Sequence, residues 1–196
     1  MQLRKLASSA LVAGALVASL GMASAAEPEN TLILTLRNGE VTIGLRPDLA
    51  PRHVEQVKAL VEEGAYDNVA FHRVIDGFMA QTGDVQYGDV EDGFDARLVG
   101  TGGSEKPDLP AEFSEAAFAR GTVGMARSQN PNSANSQFFI MFAPAEHLNG
   151  QYTVIGEVES GMELVDAIKK GDAAQNGMVQ SPDKILDARM ATDDAN

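Results

Sequence analysis

One run of fourteen residues, 71–84, constrains the fold of this chain most strongly. It reads FHRVIDGFMAQTGD. Its first half combines aromatic and β-branched residues around one arginine, which is typical of a strand. Gly77 interrupts this half, and a second apolar segment follows and ends at Gly83 and Asp84. The run therefore predicts two extended segments joined by a turn at Gly77.

The arginine of this run, Arg73, is predicted to lie among apolar side chains. Alternation along the strand places Phe71 and Ile75 on its face, and His72 and Val74 on the other face. Beyond the turn come a ring, a flexible thioether and an amide that both donates and accepts: Phe78, Met79 and Gln81. These groups are suited to line an apolar recess with two polar groups at its rim. The competing interpretation is an ordinary strand whose arginine extends into water.

The whole run closely resembles the signature of the cyclophilins, the peptidyl-prolyl cis–trans isomerases that bind cyclosporin. The same resemblance, to the bacterial branch in particular, is carried by GTVGMAR at 121–127 followed by SQFFIMF at 136–142. Two shorter stretches, GTGG at 100–103 and AEHLNGQ at 145–151, are similar to loops of the family. On these residues the chain is identified as resembling a secreted or periplasmic bacterial cyclophilin.

The resemblance covers about residues 31–190 and implies a mainly β fold, an eight-stranded antiparallel β-barrel closed by two α-helices. The residue pattern alone predicts a mostly β domain with two helices. Residues 31–46 are predicted to form a hairpin, with Asn38 and Gly39 in a tight type I′ turn. The other predicted elements are helices at 48–63 and 161–170, strands at 121–127, 138–142, 152–158 and 184–190, a long ordered loop at 85–112 and a frayed acidic tail.

Residues 1–26 are predicted to be a secretory signal peptide, which leaves 27–196 as the isomerase domain. Two basic residues, an uncharged run rich in Ala, Leu and Val, and the small-residue sequence ASA form this pattern, with cleavage expected after Ala25 or Ala26. The alternative is an uncleaved membrane anchor, although the run is shorter than the roughly 20 apolar residues of a typical span. We therefore expect a periplasmic protein, with secretion from the cell as the alternative.

Composition excludes several classes of function. The formal net charge is −13, and it becomes −15 without the two basic residues of the predicted signal peptide, Arg4 and Lys5. Such a charge argues against nucleic acid or anionic lipid as a partner. The sequence has no cysteine, which excludes disulfides, thiolate catalysis and zinc–cysteine sites. After cleavage we expect no membrane association, and we expect a monomer.

The resemblance implies a reaction that needs no nucleophile, metal or cofactor. Rotation about an X-Pro bond crosses an amide-resonance barrier of about 18–20 kcal/mol. A catalyst has to favour the twisted amide, whose pyramidal nitrogen can accept a hydrogen bond. Arg73 matches the family position that supplies this donor, and Gln81 matches the residue that steadies the arginine and the substrate backbone. The implied partners are proline-containing segments of unfolded or newly exported polypeptides.

The resemblance also assigns a substrate groove. Four positions match the recess that holds the proline ring: Phe78, Met79, Phe139 and Leu148. Thr101 and Gly102 lie in the GTGG loop that borders the groove, and Arg127 and Ser128 follow the strand that pairs with the substrate main chain. Arg127 replaces the asparagine common in eukaryotic members. Tyr152 stands where many members have a histidine, and His147 where many have a tryptophan.

Several residues also allow other interpretations. The glycines at 100–103 lack the following lysine and helix of a phosphate site, so a tight turn is favoured. The three histidines fit no metal-site spacing, His72 is expected to be hydrogen-bonded behind the strand, and the scattered acidic residues indicate a solvated surface with a weak cation site as the alternative. The main competitor is a chaperone module that binds proline segments in the same groove without significant turnover.

Overall fold

Residues 25–195 are described by a computed structural model of the chain. The predicted signal peptide lies outside these residues except for Ala25 and Ala26. Eight strands and two α-helices form the domain. The strands are β1 Thr31–Leu36, β2 Gly39–Leu45, β3 Arg73–Ile75, β4 Met79–Thr82, β5 Thr122–Met125, β6 Phe138–Met141, β7 Val154–Ser160 and β8 Asp187–Met190, and the helices are α1 Pro51–Glu62 and α2 Met162–Asp166.

All eight strands belong to one antiparallel sheet with the order β3-β4-β6-β5-β7-β2-β1-β8. The sheet curls, and the segment between α2 and β8 bridges its two ends. Along β3 and the residues before it, the N–H of Val74 donates to Gly177 O (2.8 Å) and that of Phe71 to Asp183 O (2.8 Å). At the other end, the N–H of Leu186 donates to Thr35 O of β1 (2.8 Å). The predicted mainly β, eight-stranded cyclophilin-like fold is confirmed.

The two faces of the sheet pack against two different apolar clusters. Because side chains alternate along a strand, Phe138 and Ile140 of β6 pack inside the barrel, while Phe139 and Met141 pack on its outer face. Inside, α1 covers the barrel with its buried apolar stripe of Val54, Val57, Leu60 and Val61. Burying a side chain of this size stabilises the fold by roughly 1.5–3 kcal/mol. The outer cluster carries the candidate site.

Helix α1 has the boundaries that its sequence predicts. Pro51 occupies the first helical position, where its missing N–H costs nothing. Gly64 follows the C-cap with a φ of +66°, a conformation that glycine adopts without steric cost. The long segment between β4 and β5 contains no helix and no strand of the sheet, as expected for an ordered loop. Among residues 25–195, no helix is long and apolar enough to span a bilayer.

The first hairpin is present, but the predicted type I′ turn at Asn38-Gly39 is wrong. Gly39 already pairs with Leu36 as the first residue of β2, so the connecting residues are Arg37 and Asn38. Asn38 does not have a positive φ, whereas Gly39 has a φ of +148°. A Cβ on Gly39 would lie 3.0 Å from Leu164 Cδ1, so packing against α2 explains the glycine at this position.

The strand at the start of the 71–84 run begins later than predicted. Phe71 is bonded to the segment before β8 and packs inside the barrel with Val74, so it does not share the face of Arg73. Regular pairing with β4 starts only at Arg73, which explains why the alternation cannot be extended back to Phe71. Ile75, by contrast, packs on the outer cluster as predicted.

Helix α2 and the tail also differ from their predictions. The helix ends at Asp166 instead of residue 170. The N–H of Lys169 donates to the Asp183 carboxylate (2.8 Å) and not to a carbonyl of the helix. The predicted apolar side is nevertheless retained, since Val165 and Ile168 are buried. The tail forms a 3-10 helix, Ala191–Ala195, instead of fraying. The strand predicted at 152–158 is present as β7 with both ends shifted, and the strand predicted at 184–190 is present as β8 with a later start.

Candidate active site

Arg73 and Gln81 face each other across the β3–β4 pair. This register brings Arg73 Nη1 within 3.1 Å of Gln81 Oε1, to which it donates a hydrogen bond. The arginine is half-buried, and burial lowers its pKa below the ordinary value. An arginine with a moderately lowered pKa still carries its charge at neutral pH. The pair predicted from the sequence therefore presents a charged guanidinium whose orientation is fixed from one side.

Asn176 fixes the guanidinium from the other side. Arg73 Nε donates to the main-chain oxygen of Asn176 (3.1 Å), and Arg73 Nη2 donates to its side-chain Oδ1 (3.1 Å). Asn176 has a φ of +55°, which turns both oxygens towards the arginine. Asn176 was not predicted as a site residue from the sequence. Its signal was the Asn-Gly pair at 176–177, which is typical of a turn with positive φ.

Replacing Asn176 by glycine is expected to lower kcat/KM for an X-Pro peptide about tenfold, the size of one hydrogen bond to a charged group. The substitution removes Oδ1 but keeps the main-chain oxygen, and glycine readily adopts the positive φ. The unfolding midpoint should therefore stay close to that of the wild type. Peptide isomerisation and thermal unfolding of the same preparations measure both quantities. An N176G protein with unchanged kcat/KM would show that Oδ1 does not matter.

A chain of amide hydrogen bonds connects Gln81 to the GTGG loop. Gln81 Nε2 donates to Gln137 Oε1 (2.9 Å), and Gln137 Nε2 donates to Gly102 O (2.8 Å). Each amide is thereby oriented with its oxygen towards Arg73 and its nitrogen away from it. Gln137 is a second site residue that was not predicted from the sequence, although it stands in the SQFF motif that carries the resemblance.

An apolar recess of about 160 Å³ opens beside Arg73. Its lining contains eight of the predicted site residues and Ala126, which was not predicted: Arg73, Phe78, Met79, Gln81, Ala126, Arg127, Phe139, Leu148 and Tyr152. Phe139 stacks on Phe118 (5.7 Å between ring centroids) and meets Tyr152 edge-on (5.7 Å). A Cβ on Gly124 would lie 2.6 Å from Phe118 and 2.7 Å from Phe139, so this glycine permits the stack.

A second, polar recess of about 360 Å³ adjoins the first. The two recesses share Gln81, Ala126 and Arg127. The predicted groove residues Thr101, Gly102, Arg127 and Ser128 all line the second recess, together with Gly100, Ser133, Asn135 and Gln137. The structure thus brings every predicted site residue into one continuous groove, and their roles towards a substrate stay predictions.

Comparison with known proteins agrees with this geometry. Residues 31–190 match the family model described as cyclophilin type peptidyl-prolyl cis-trans isomerase/CLD. The chain belongs to the cyclophilin family. Proteins named probable peptidyl-prolyl cis-trans isomerase from Brucella suis biovar 1 and Brucella melitensis biotype 1 are each 67% identical to it over 189 residues, covering 94% of this chain and 96% of theirs.

Solved structures of cyclophilins have the same fold. A cyclophilin from Hirschia baltica superposes with a TM-score of 0.71 at 25% identity, covering 87% of this chain and 77% of that one. A cyclophilin type peptidyl-prolyl cis-trans isomerase from Cryptosporidium parvum, solved in the presence of the dipeptide Ala-Pro, gives a TM-score of 0.69 at 25% identity and covers 82% and 98%.

In this cyclophilin, one buried carboxylate holds the GTGG loop against the groove. Asp84, which ends the signature run, accepts the N–H groups of Gly100 (2.6 Å) and Gly102 (3.0 Å). The expected tight turn is confirmed by the hydrogen bond from Thr101 N to Leu98 O (2.9 Å) and by the φ of +95° at Gly100. The loop that borders the groove is therefore attached to the end of the strand that carries Gln81.

His72 lies behind this loop, and its predicted hydrogen bond is wrong. The side chain is buried, and neither ring nitrogen has a hydrogen-bond partner within the described part of the chain. Gly100 packs on the ring, since a Cβ there would lie 3.3 Å from Nε2. Burial, only partly offset by the charge of Asp84, lowers the pKa of His72 to about 4. The residue is therefore a neutral packing element at neutral pH.

The other histidines of this cyclophilin are also explained without a metal. His53 is buried at the start of α1, where its Nδ1 lies 2.7 Å from Glu112 Oε2. His147 stacks on Phe78 at the rim of the apolar recess (5.9 Å between centroids). Within residues 25–195, no group of three or more His, Cys, Asp or Glu side chains is arranged to hold a metal ion.

Proposed function

We propose that this cyclophilin accelerates X-Pro isomerisation in polypeptides that fold after export. The observation that carries the catalytic part is the placement of Arg73, a fixed cation at the rim of an apolar recess. A guanidinium has five N–H donors; the oxygen atoms of Gln81 and Asn176 take three of them, and Met79 Sδ takes a fourth, on Nη1 (3.9 Å). One N–H group, on Nη2, therefore remains for a substrate.

The geometry favours the twisted amide over the planar one. With the proline ring in the apolar recess, the prolyl nitrogen faces the side of the recess formed by Arg73 and Gln81. A planar amide nitrogen shares its lone pair with the carbonyl and is a poor acceptor, whereas a pyramidal nitrogen accepts a hydrogen bond from Arg73. An interaction that forms only in the transition state raises kcat instead of merely tightening binding.

The competing function is a chaperone module that binds proline segments without turnover. Apolar contacts in the recess would suffice for such binding, and they do not require a half-buried guanidinium. Desolvating Arg73 and holding it from two sides costs free energy. A module that only binds proline segments would gain nothing in return. The arrangement of Arg73 therefore favours the enzyme.

Export is supported by the sequence pattern of residues 1–26, most of which lies outside the described residues. Because the chain has no cysteine, an oxidising compartment can form no disulfide in it. We infer a periplasmic location, with release from the cell as the alternative. We also propose a monomer, because one chain supplies all the predicted site residues and needs no second copy to complete the groove.

Expression of the full chain in a Gram-negative host tests export separately from activity. Periplasmic and culture fractions should contain a protein whose N-terminal residue is Ala26 or Glu27, as determined by mass spectrometry. A variant without residues 2–24 should remain in the cytoplasm and should isomerise X-Pro peptides as fast as the processed protein. Retention of the full chain in the cytoplasm with an intact leader would contradict export and leave the isomerase activity standing.

A further inference from the structure

Two arginines line the substrate groove of a protein that is acidic as a whole. The chain has 28 acidic and 15 basic residues. Among the described residues that line the two recesses, however, the charged side chains are Arg73 and Arg127, and neither Asp nor Glu is present. Two carboxylates lie behind this lining, since Asp84 accepts the N–H groups of Gly100 and Gly102, and Asp108 accepts from Asn135 Nδ2. The two arginines are therefore local cations that face the groove.

Arg127 is held in place without a counter-ion. Its Nε and Nη2 donate to Gln151 O (3.2 and 2.8 Å), and its Nη1 donates to Ser128 O (2.9 Å). The guanidinium carbon lies 4.3 Å from the centre of the Tyr152 ring, a cation–π contact. Carbonyl oxygens and a ring orient the cation but leave its charge uncompensated, and within residues 25–195 it forms no ion pair. A fixed cation binds an anion at little further cost in side-chain entropy.

The position of Arg127 relates it to a particular residue of the substrate. Arg127 lines both recesses, so it stands at their boundary. The prolyl nitrogen faces Arg73 and Gln81, and Gln81 also lines the second recess, so the residues before the proline run in that direction. In an extended peptide, side chains two residues apart point the same way, about 7 Å apart. The side chain two residues before the proline therefore enters the second recess beside Arg127.

We propose that Arg127 selects proline segments that carry aspartate or glutamate two residues before the proline. This specificity rests on the proposed function, because it acts on substrates held in the catalytic groove. Thr101, Ser133 and Asn135 also line the second recess, but their donor hydrogens are used within the protein, by Leu98 O, Asn130 O, Lys106 O and Asp108 Oδ1. The selectivity therefore comes from the one charge of Arg127, so it favours acidic substrates and does not exclude neutral ones.

Three peptides that differ only in Glu, Gln or Lys two residues before the proline test this proposal. We expect kcat/KM for the Glu peptide to exceed that for the Gln peptide about threefold and that for the Lys peptide about tenfold, as for a solvent-exposed ion pair. The ratios should shrink at about 1 M salt, where the screening length falls to about 3 Å. In R127Q, the Glu-to-Lys ratio should approach one.

R97Q is the matched control. It makes the same change in net charge at an exposed arginine that pairs with Asp95 and lines neither recess, so it should keep the wild-type ratio. Equal kcat/KM for the three peptides would refute the specificity and leave the isomerase function intact. A preference that follows Glu only when it is placed after the proline would also refute it. Failure to turn over any of the peptides would overturn both this proposal and the proposed function.

Discussion

Replacing Arg73 by alanine is expected to lower kcat/KM for a short X-Pro peptide by about 10²–10³-fold, the effect of losing one well-placed electrostatic donor. The substitution leaves the apolar recess in place, since Phe78, Met79, Phe139 and Leu148 pack without the guanidinium. The loss should therefore fall on kcat, with KM changing much less. Cis-to-trans conversion of the peptide, followed by absorbance or NMR exchange, measures both constants.

Two further variants separate charge from geometry. R73K keeps the cation but cannot bond Gln81 and Asn176 at the same time as the substrate, so we expect it to recover only a small part of the activity. R46A removes an exposed arginine that pairs with Asp48 outside the groove, and it should keep full activity. An R73A protein that folds normally and retains kcat/KM within about threefold would refute a transition-state role worth 10²-fold or more.

Acidification is expected to destabilise the fold through His72. In the unfolded chain this histidine has a pKa of 6.5, and burial lowers its pKa to about 4 in the folded protein. The unfolded state therefore binds a proton first as the pH falls, and stability is lost between about pH 6.5 and pH 4. One pKa unit corresponds to about 1.4 kcal/mol, so the free energy of unfolding should fall by about 3 kcal/mol across this range.

Chemical denaturation at a series of pH values measures this loss, and H72Q is the control. The glutamine variant has no titrating group at this position, so its free energy of unfolding should fall less steeply from pH 6.5 to 5 than that of the wild type, even if it is lower throughout. Glu112, whose pKa is lowered by its hydrogen bonds to His53 and to main-chain N–H groups, loses its contribution only below its ordinary pKa of 4.5. Identical slopes for wild type and H72Q above pH 5 would show that His72 is not responsible.

Local signals in the sequence predicted the elements that depend on few distant contacts. Pro51 and Gly64 bracket α1 at positions that proline and glycine favour at helix ends. The apolar runs of the first hairpin were enough to predict its two strands. The failures have tertiary causes. The turn residues shift because Gly39 packs against Leu164, and α2 ends early because Asp183 takes the N–H of Lys169. Neither partner is near in sequence.

The same distinction between local and distant contacts applies to the site residues. Arg73 and Gln81 were predicted from one motif and lie opposite each other on adjacent strands. Asn176 was not, because it is 103 residues from Arg73 and belongs to a loop with no motif of its own. The hydrogen bond predicted for His72 was wrong because strand alternation indicates the direction in which a side chain points. It does not indicate whether the groups around that side chain are polar. Sequence supplied the chemistry of the groove, and the loop that orients it came only from the fold.

The bridging segment between α2 and β8 makes the orientation of Arg73 depend on closure of the sheet. The recess residues extend only to Tyr152, whereas the two oxygens that hold Arg73 Nε and Nη2 belong to Asn176 in the bridging segment. The same segment joins β3 to the residues before β8, through hydrogen bonds from Val74 to Gly177 and from Phe71 to Asp183. Opening of this junction would therefore release Arg73 on one side while the apolar recess stayed in place.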